Sequence, residues 1–241
     1  MNQRSLIYLL AFIVTIGSVA TNIYIPALPV VREYFDATVA QAQATFSVAL
    51  LTFAIGMLFW GPFADRYGRR LAILAGVGLM AAGSVVCLFA SSLAWLIAGR
   101  GVLAFGTATG IAVSRTIVSD LYPDSMARML AQLAIFAVVS SASAPVIGGF
   151  LTSWFGWRSV FAAQVVMAAA VAWLTWKHLP ETRPATKQPP DMREMARVAR
   201  SLLVKPGYLS CVLQSSAAYS MFVVFISLAP YVMVTAMGRP A

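Results

Sequence analysis

The stretch that decides the fold reads G-P-F-A-D-R-Y-G-R-R and covers residues Gly61–Arg70. Gly61 and Gly68 are expected to permit close approach of the backbone to a neighbouring element. Asp65 can accept hydrogen bonds from helix-end N–H groups or from a nearby arginine. A basic loop beside a membrane would account for the three arginines, but it gives no reason for the ordered spacing G-x-x-x-D-R-x-G-R-R. The spacing therefore indicates a specific structure at this loop.

The composition places this loop in a membrane protein. Of the 241 residues, 60% are hydrophobic and 10% are charged, and the mean hydropathy is +0.81. Soluble domains are about 45–50% apolar and about 25% charged, so a soluble enzyme core and a disordered chain are both excluded. Because a membrane-spanning helix needs roughly 20 apolar residues, the chain has room for about seven or eight such helices.

Seven apolar runs, each bounded by charged or turn residues, are predicted to be membrane-spanning helices. The first run is too long for the apolar core of a cleaved signal peptide and further spans follow it, so it is predicted to be retained. The predicted spans are Leu6–Leu28, Ala42–Pro62, Leu71–Ser91, Leu93–Ser114, Leu130–Leu151, Ser159–Trp176 and Leu209–Thr235.

Lysine and arginine are distributed unevenly between the connecting loops. With the N-terminus in the cytoplasm, thirteen of them fall on the cytoplasmic side and three on the outside. Cytoplasmic loops of membrane proteins carry such an excess, so the N-terminus is predicted to be cytoplasmic. The asymmetry and contact with anionic lipid account for the net charge of +9. We therefore expect the lipid bilayer, and not nucleic acid, as the partner of the basic residues.

Cysteine and histidine are too few for several kinds of catalytic site. Cys87 and Cys211 fall inside apolar runs, where a small packed side chain is the expected role. His178, the single histidine, lies at the edge of a basic loop. This inventory excludes a zinc site, a Ser-His pair and a Cys-His pair, and we expect no metal, no cofactor and no enzyme activity.

The longest polar stretch divides the chain into parts. Residues 1–178 are predicted to form a six-helix bundle, residues 179–207 a central cytoplasmic loop, and residues 208–241 a seventh transmembrane helix with the C-terminus. Within the loop, Asp191 and Glu194 form a start that resembles a capping box, and apolar and basic residues then fall on separate helical faces. A short amphipathic helix on the membrane surface and a solvated linker both fit this pattern.

An internal repeat relates the two halves of the bundle. A shift of 88 residues places Gly149–Arg158 on Gly61–Arg70 and matches both glycines and the final arginine. The same shift lays spans four, five and six over spans one, two and three without gaps, and the matched loops lie on opposite membrane faces. The predicted fold is therefore an all-α membrane protein with an inverted three-plus-three helix repeat and one additional transmembrane helix.

The spacing in Gly61–Arg70 closely resembles the signature loop of the major facilitator superfamily. Pro145–Gly149 is similar to the Pro-x-x-Gly-Gly motif of the antiporter branch, and Tyr24–Pro29 resembles the Y-x-P-x-x-P ending of bicyclomycin- and chloramphenicol-type drug exporters. Leu179–Thr182 and Ser227–Pro230 are also similar to that drug:proton antiporter subgroup. The resemblance covers essentially the whole chain and implies a major facilitator-type six-helix bundle.

The resemblance implies gating or coupling roles for residues in three segments. Arg100 stands at the arginine of the family's fourth-helix motif, for which a role in proton coupling is proposed, but Leu103 and Ala104 replace the Gln and Gly common there. An arginine that extends from a helix end to the membrane surface is the alternative, and packing alone would explain the proline and glycines of span five. The residues predicted to gate or couple are Arg100, Gly61, Asp65, Arg66, Gly68, Arg69, Arg70, Pro145, Gly148 and Gly149.

The resemblance also implies a substrate cavity near the bilayer midplane, lined by spans one, four and seven. Asn22 stands where this subgroup often carries an aspartate, and no carboxylate lies in any predicted span. Proton coupling would then have to use Asp120, at the inner end of span four, or an acid outside this chain. Soft and aromatic side chains of span seven suit drugs of varied shape, although lipid contact or core packing is the commoner role of any one of them. The residues predicted to bind substrate are Asn22, Thr15, Ser18, Gln214, Tyr219, Met221, Phe222 and Phe225.

These features predict an inner-membrane efflux transporter of small amphipathic drugs, coupled to proton antiport in its full-length form. The chain ends after span seven, so we expect a truncated carrier whose partner is a missing C-terminal half or a second copy. A non-transporting membrane fragment or a regulatory or assembly partner is the alternative. A retinal-binding photoreceptor is excluded because Lys177, Lys187 and Lys205 all lie outside the spans.

Overall fold

The computed structural model describes residues 3–182, 197, 200–202 and 204–237. The chain forms two compact units, residues 1–187 and residues 188–241. Every regular element among the described residues is helical, with no strand in those ranges. The predicted all-α fold class is confirmed.

The first unit contains six segments that are long and apolar enough to cross a membrane, which confirms the first six predicted spans. The helices extend beyond several apolar runs, because polar residues at a helix end continue the backbone hydrogen bonds while their side chains reach the membrane surface. The elements are α1 (Gln3–Asn22), a 3-10 turn (Ile25–Ala27), α2 (Leu28–Tyr34), α3 (Val39–Tyr67), α4 (Arg69–Leu88), α5 (Leu93–Leu121), α6 (Met126–Phe155) and α7 (Arg158–His178).

Among the described residues of the second unit, one long helix, α8 (Pro206–Met237), has 32 residues. It includes the whole of the predicted seventh span, Leu209–Thr235. Most of the predicted amphipathic helix that starts at Asp191 lies outside the described residues. The predicted division of the chain at residues 178 and 207 stays a prediction.

Local sequence explains where the helices begin and end. Thr38 and Gln41 form a reciprocal capping box at the start of α3, which satisfies two N–H groups that have no partner within the helix. Ser92 accepts a hydrogen bond from the backbone N–H of Trp95 at the start of α5. Gly68 and Gly156 end α3 and α6 at φ values of 103° and 78°, which glycine adopts with little strain.

Helix α5 packs tightly against α4 because small residues meet where they cross. A Cβ atom added to Gly76 would collide with the side chain of Thr109 and the carbonyl of Gly106. One added to Gly83 would collide with the backbone of Leu103. Such close approach is typical of helix pairs in membranes, where packing replaces the hydrophobic effect as the source of association.

Two hydrogen bonds display the inverted repeat directly. Arg70, at the start of α4, donates to the carbonyl of Trp176 near the end of α7. Arg158, at the start of α7, donates from Nε to the carbonyl of Leu88 at the end of α4, at 3.2 Å. In both pairs the partners are related by the 88-residue shift, since Arg158 corresponds to Arg70 and Trp176 to Leu88. We call the end of the bundle that contains Arg70 the signature end and the other end the opposite end.

Candidate functional site

At the signature end, one buried arginine lies between two carboxylates. The side chain of Arg69 is 0% exposed, and its Nη2 donates to Oδ1 of Asp65 at 3.1 Å and to Oδ2 of Asp120. Asp65 is near the end of α3 and Asp120 near the end of α5, so the guanidinium of α4 joins three helices. Paired carboxylates offset part of the cost of burying this charge.

A third carboxylate completes this arrangement from the segment after α7. Glu181 accepts hydrogen bonds from the backbone N–H groups of Arg69 at 2.9 Å and Arg70 at 3.3 Å. Because these N–H groups begin α4, a negative charge here is also favoured by the helix dipole. We call Asp65, Arg69, Asp120 and Glu181 the signature cluster.

The structure separates the roles predicted for the glycines and arginines of the signature loop. A Cβ atom at Gly68 would collide with the carboxylate of Glu181, so the predicted close approach is confirmed there. At Gly61 no described atom beyond its own stretch of helix lies within 4 Å of the Cβ position, so the expectation for Gly61 stays a prediction. Arg66 is exposed, with its guanidinium carbon 5.4 Å from the ring centre of Tyr67.

At the opposite end, Arg158 contacts neutral groups. Its Nη2 donates to the carbonyl of Ala90 at 3.1 Å and to the Tyr34 hydroxyl at 3.2 Å, in addition to the bond from Nε to Leu88. Its guanidinium carbon lies 4.8 Å from the ring centre of Tyr34 and 4.3 Å from that of Trp157. Within the described residues it forms no ion pair. We call Tyr34, Trp157 and Arg158 the opposite-end cluster.

Arg100 is buried in the bundle and does not extend to the surface. It is 1% exposed, its guanidinium carbon lies 3.9 Å from the ring centre of Tyr24, and its Nε donates to the carbonyl of Thr45 at 3.2 Å. The Tyr24 hydroxyl and the Thr45 hydroxyl lie 3.1 Å apart. Nη1 of Arg100 has no hydrogen-bond partner among the described residues. Arg100 therefore does not match an arginine that extends to the membrane surface, and the coupling role predicted for it stays a prediction.

The first span is interrupted beside Arg100. Helix α1 ends at Asn22, and a 3-10 turn over Ile25–Ala27 leads into α2. A Cβ atom at Gly148 of α6 would collide with the carbonyl of Ile23, so the predicted close helix contact at Gly148 is confirmed. Gly149 shows no such contact, because no described atom lies within 4 Å of its Cβ position. Pro145, one turn earlier in α6, is partly buried.

The residues of α1 predicted to bind substrate differ in accessibility. Ser18 is 6% exposed, whereas Thr15 and Asn22 are partly buried and lie seven residues apart, nearly on one helical face. The Asn22 amide donates to the carbonyl of Ser18 at 2.9 Å and to the Ser141 hydroxyl at 3.4 Å. Asn22 therefore joins α1 to α6 and stays partly accessible.

The predicted substrate-binding residues of span seven all lie on α8, in the second unit. Gln214, Met221 and Phe225 are exposed within that unit. The side chains of Tyr219 and Phe222 lie outside the described residues. Their role in lining a cavity stays a prediction.

The sequence does not predict the contacts of Glu181, Arg158 and Tyr24. Glu181 lies in the segment Leu179–Thr182, but its contact with α4 joins residues more than 100 positions apart. For Arg158, its alignment with Arg70 in the repeat is the available signal for a capping role. Tyr24 lies in the motif Tyr24–Pro29, and nothing in the sequence indicates that its ring contacts Arg100.

Comparison with known proteins shows the family of the chain. The sequence profile described as Major Facilitator Superfamily matches residues 10–239. The chain belongs to the Major Facilitator Superfamily. It is 34% identical to multidrug resistance protein D of Escherichia coli strain K12 over 181 residues, which are 75% of this chain and 46% of that protein. It is 31% identical to multidrug resistance protein MdtL of Escherichia fergusonii over 218 residues, 90% of this chain and 55% of that protein.

The fold of this superfamily member is also found among solved structures. A bacterial homologue of the human lysosomal transporter Spinster, in an inward-facing and unoccupied conformation, superposes with a TM-score of 0.73 at 23% identity. The superposition covers 100% of this chain and 58% of that one. The chain thus spans about half the length of the relatives it matches. Membership of the superfamily, together with the six long apolar segments, indicates a multi-pass membrane protein.

Proposed function

We propose that this chain forms the N-terminal half of a carrier that exports small amphipathic drugs in exchange for protons. The signature cluster is the observation that carries the proposal. Carboxylates from the ends of α3 and α5 pair with the buried guanidinium of Arg69, and Glu181, from the segment after α7, accepts from the backbone N–H groups that begin α4. Ion pairs of this kind can separate and reform without the loss of any helix, which suits a gate that opens during transport. The similarity to two multidrug resistance proteins supports drugs as the substrate class.

Proton coupling is assigned to a carboxylate at the signature end or in a second half. Asp65 and Asp120 lie at the ends of spanning helices, and both accept from Arg69. Asp120 is the candidate from this chain, because protonation would weaken its pair with Arg69 and so favour opening of the gate. Asn22→Asp would add a second titratable group at the break in the first span and is expected to increase pH-dependent export.

The proposed location is the cell inner membrane, with the N-terminus in the cytoplasm. The excess of lysine and arginine in the loops at the signature end supports this orientation. A C-terminal half or a second copy would then complete the carrier across the exposed faces of α3 and α6. The lipid bilayer and the drug are the other partners.

Drug uptake into inside-out vesicles, which corresponds to export from the cell, tests the proposal. The chain is expressed in efflux-deficient bacterial cells, alone and joined to a C-terminal part of multidrug resistance protein D that begins after its seventh span, and chloramphenicol uptake into inside-out vesicles is measured. The joined form should export the drug. Asp65→Asn should lower its export about tenfold with unchanged membrane insertion, because a loss of about 1.4 kcal/mol from the pair with Arg69 corresponds to a tenfold change. Glu33→Gln, which removes one carboxylate at the opposite end, is the matched control.

No export by the joined form above an empty control would contradict the proposal. Normal insertion without export would instead favour the second candidate, a non-transporting membrane fragment or assembly partner. This second candidate is supported by the observation that the match covers only about half the length of each relative.

A further inference from the structure

A groove lies between α1 and α6 in the half of the bundle nearer the signature end. Its volume is about 600 Å³, within the range of roughly 300–1,000 Å³ typical of small-molecule sites. Tyr8, on its wall, precedes Thr15 by seven residues and therefore lies near the same face of α1 as Thr15 and Asn22. The groove is lined by Ile7, Tyr8, Arg128, Met129, Gln132, Ile135 and Phe136.

The lining of this groove is amphipathic. Arg128, Gln132 and Tyr8 supply hydrogen-bond donors, and aliphatic or aromatic side chains supply the rest of the wall. Arg128 is the one charged residue in that lining among the described residues. A ligand with an apolar body and a single polar head matches this distribution.

The charge near the groove is positive and is not compensated locally. A smaller groove of about 50 Å³ on the neighbouring face of α6 is lined by Arg115 and six apolar residues. Within the described part of the chain, neither Arg115 nor Arg128 forms an ion pair, although Asp124 precedes Arg128 by one turn. Asp65 and Asp120 are instead directed at Arg69.

We infer that the α1–α6 groove selects amphipathic organic anions, such as carboxylates and sulfonates, over cations of the same shape. A guanidinium donates two parallel hydrogen bonds to such a head group, and the apolar body of the ligand packs along Met129, Ile135 and Phe136. A cation in the same position would meet an unpaired guanidinium at close range, which is repulsive. The inference rests on the proposed function, because it takes the groove as part of the drug pathway and names the class of drug.

A pair of probes that differ in head-group charge tests the inference. The 241-residue chain is placed in phosphatidylcholine nanodiscs, and binding of anthracene carboxylate and of anthracenyl methylammonium is measured by fluorescence anisotropy against empty discs. The anion should bind at least about tenfold more tightly than the cation, and this preference should shrink as salt concentration rises. Equal binding, tighter binding of the cation, or binding of neither probe would overturn the inference.

Variants of Arg128 test whether this residue causes the preference for the anion. Arg128→Gln should weaken binding of the anion about tenfold, Arg128→Lys should retain most of it, and Lys177→Gln, which removes the same charge at another exposed site, should leave it unchanged. Because Arg128 is exposed, these variants are expected to fold, and tryptophan fluorescence checks this. If Arg128→Gln and Lys177→Gln weaken binding of the anion equally, net charge causes the preference and the proposed site at Arg128 is wrong.

Two further comparisons distinguish a lipid head group from a drug as the bound anion, and failure of the inference from failure of the proposed function. If anionic phosphatidylglycerol in the discs abolishes probe binding, the groove holds a lipid head group and the drug assignment is wrong; retained binding supports it. Anion binding without drug export contradicts the proposed function and leaves the inference standing. Drug export by a carrier that binds the cationic probe more tightly than the anionic one supports the proposed function and contradicts the inference.

Discussion

The two loops that the internal repeat matches hold their arginines in different ways. Arg70 and Arg158 both donate to a carbonyl at the end of the helix paired with their own, and Gly68 and Gly156 both end a helix with positive φ. The residues around this shared frame differ. Where the signature end has Asp65 and Arg69, the corresponding positions of the opposite end, 88 residues later, are Ser153 and Trp157.

This difference distinguishes the residues that the fold requires at both ends from the charged residues that occur at the signature end alone. Glycine and the capping arginine recur at both ends, so they belong to the frame that joins α4 to α7. The ion pairs of the signature cluster occur at one end, and buried ion pairs contribute little net stability compared with apolar packing of the same volume. At the opposite end the position of Arg69 is occupied by Trp157, which is 4% exposed and packs on Phe35 and Phe161. The charges of the signature end are therefore not required by the frame that both ends share, which fits the gating role proposed for them.

The largest effect on stability is expected from removing both carboxylates that pair with Arg69. In Asp65→Asn with Asp120→Asn, the guanidinium stays buried without a charged partner, which costs about 3 kcal/mol by analogy with other broken buried pairs. The cost is at the low end of that range because Asp65 and Asp120 are 19% and 13% exposed. Thermal unfolding of the purified chain in detergent, followed by tryptophan fluorescence, measures it.

Glu33→Gln with Asp36→Asn is the matched control for this double variant. It changes the net charge by the same amount at the opposite end, where both carboxylates are exposed. An equal loss of stability in the control would show that net charge, and not the signature cluster, determines the result.

The next largest effect is expected from an added methyl group at the glycine of each loop. Gly68→Ala forces alanine into a positive-φ conformation and places its Cβ on the carboxylate of Glu181, for about 2 kcal/mol of strain and displacement. Gly156→Ala carries the backbone strain alone, since no described atom lies within 4 Å of its Cβ position, and should cost about 1 kcal/mol. Unfolding midpoints of the two variants are compared in the same detergent, and a larger loss in Gly156→Ala would contradict the assignment of Glu181.

A smaller effect is expected from the arginine of the opposite-end cluster. Arg158→Gln loses the hydrogen bonds to Leu88 and Ala90 and the contact with two aromatic rings, for about 1 kcal/mol. Arg70→Gln, its repeat counterpart, should cost a similar amount through Trp176. The free energy of unfolding is measured for both variants. A loss of stability several times larger in one variant than in the other would show that the two arginines are not equivalent.

The smallest effect is expected from Tyr34→Phe. This variant removes the hydroxyl that accepts from Arg158 at 3.2 Å and keeps the ring, so it should cost about 0.5 kcal/mol. Trp157 and the two carbonyls continue to hold the guanidinium. Loss of as much stability as in Arg158→Gln would mean that the hydroxyl, and not the carbonyls, positions the arginine.

Most of the fold followed from the sequence, because lipid requires each spanning segment to satisfy its own backbone hydrogen bonds. The ends of the helices followed less well: α5 continues to Leu121, seven residues past the apolar run that ends at Ser114, because a helix can continue through polar residues that reach the surface. The pairing of Asp65 with an arginine was among the predicted possibilities. The contacts of Arg69 with Asp120 and Glu181 were not, since nothing local to the signature loop indicates which distant segments reach it.

Burial of Arg100 has a consequence for how the protein enters the membrane. The residue lies about 10 Å along α5 from its start, and an arginine deep in a lone helix opposes insertion by about 2.5–3.5 kcal/mol. Its contacts are with Tyr24 of the first span and Thr45 of α3, both made earlier along the chain. Helix α5 therefore reaches its stable position in lipid against segments that are synthesised before it, and the order of synthesis matches the order in which these contacts are needed.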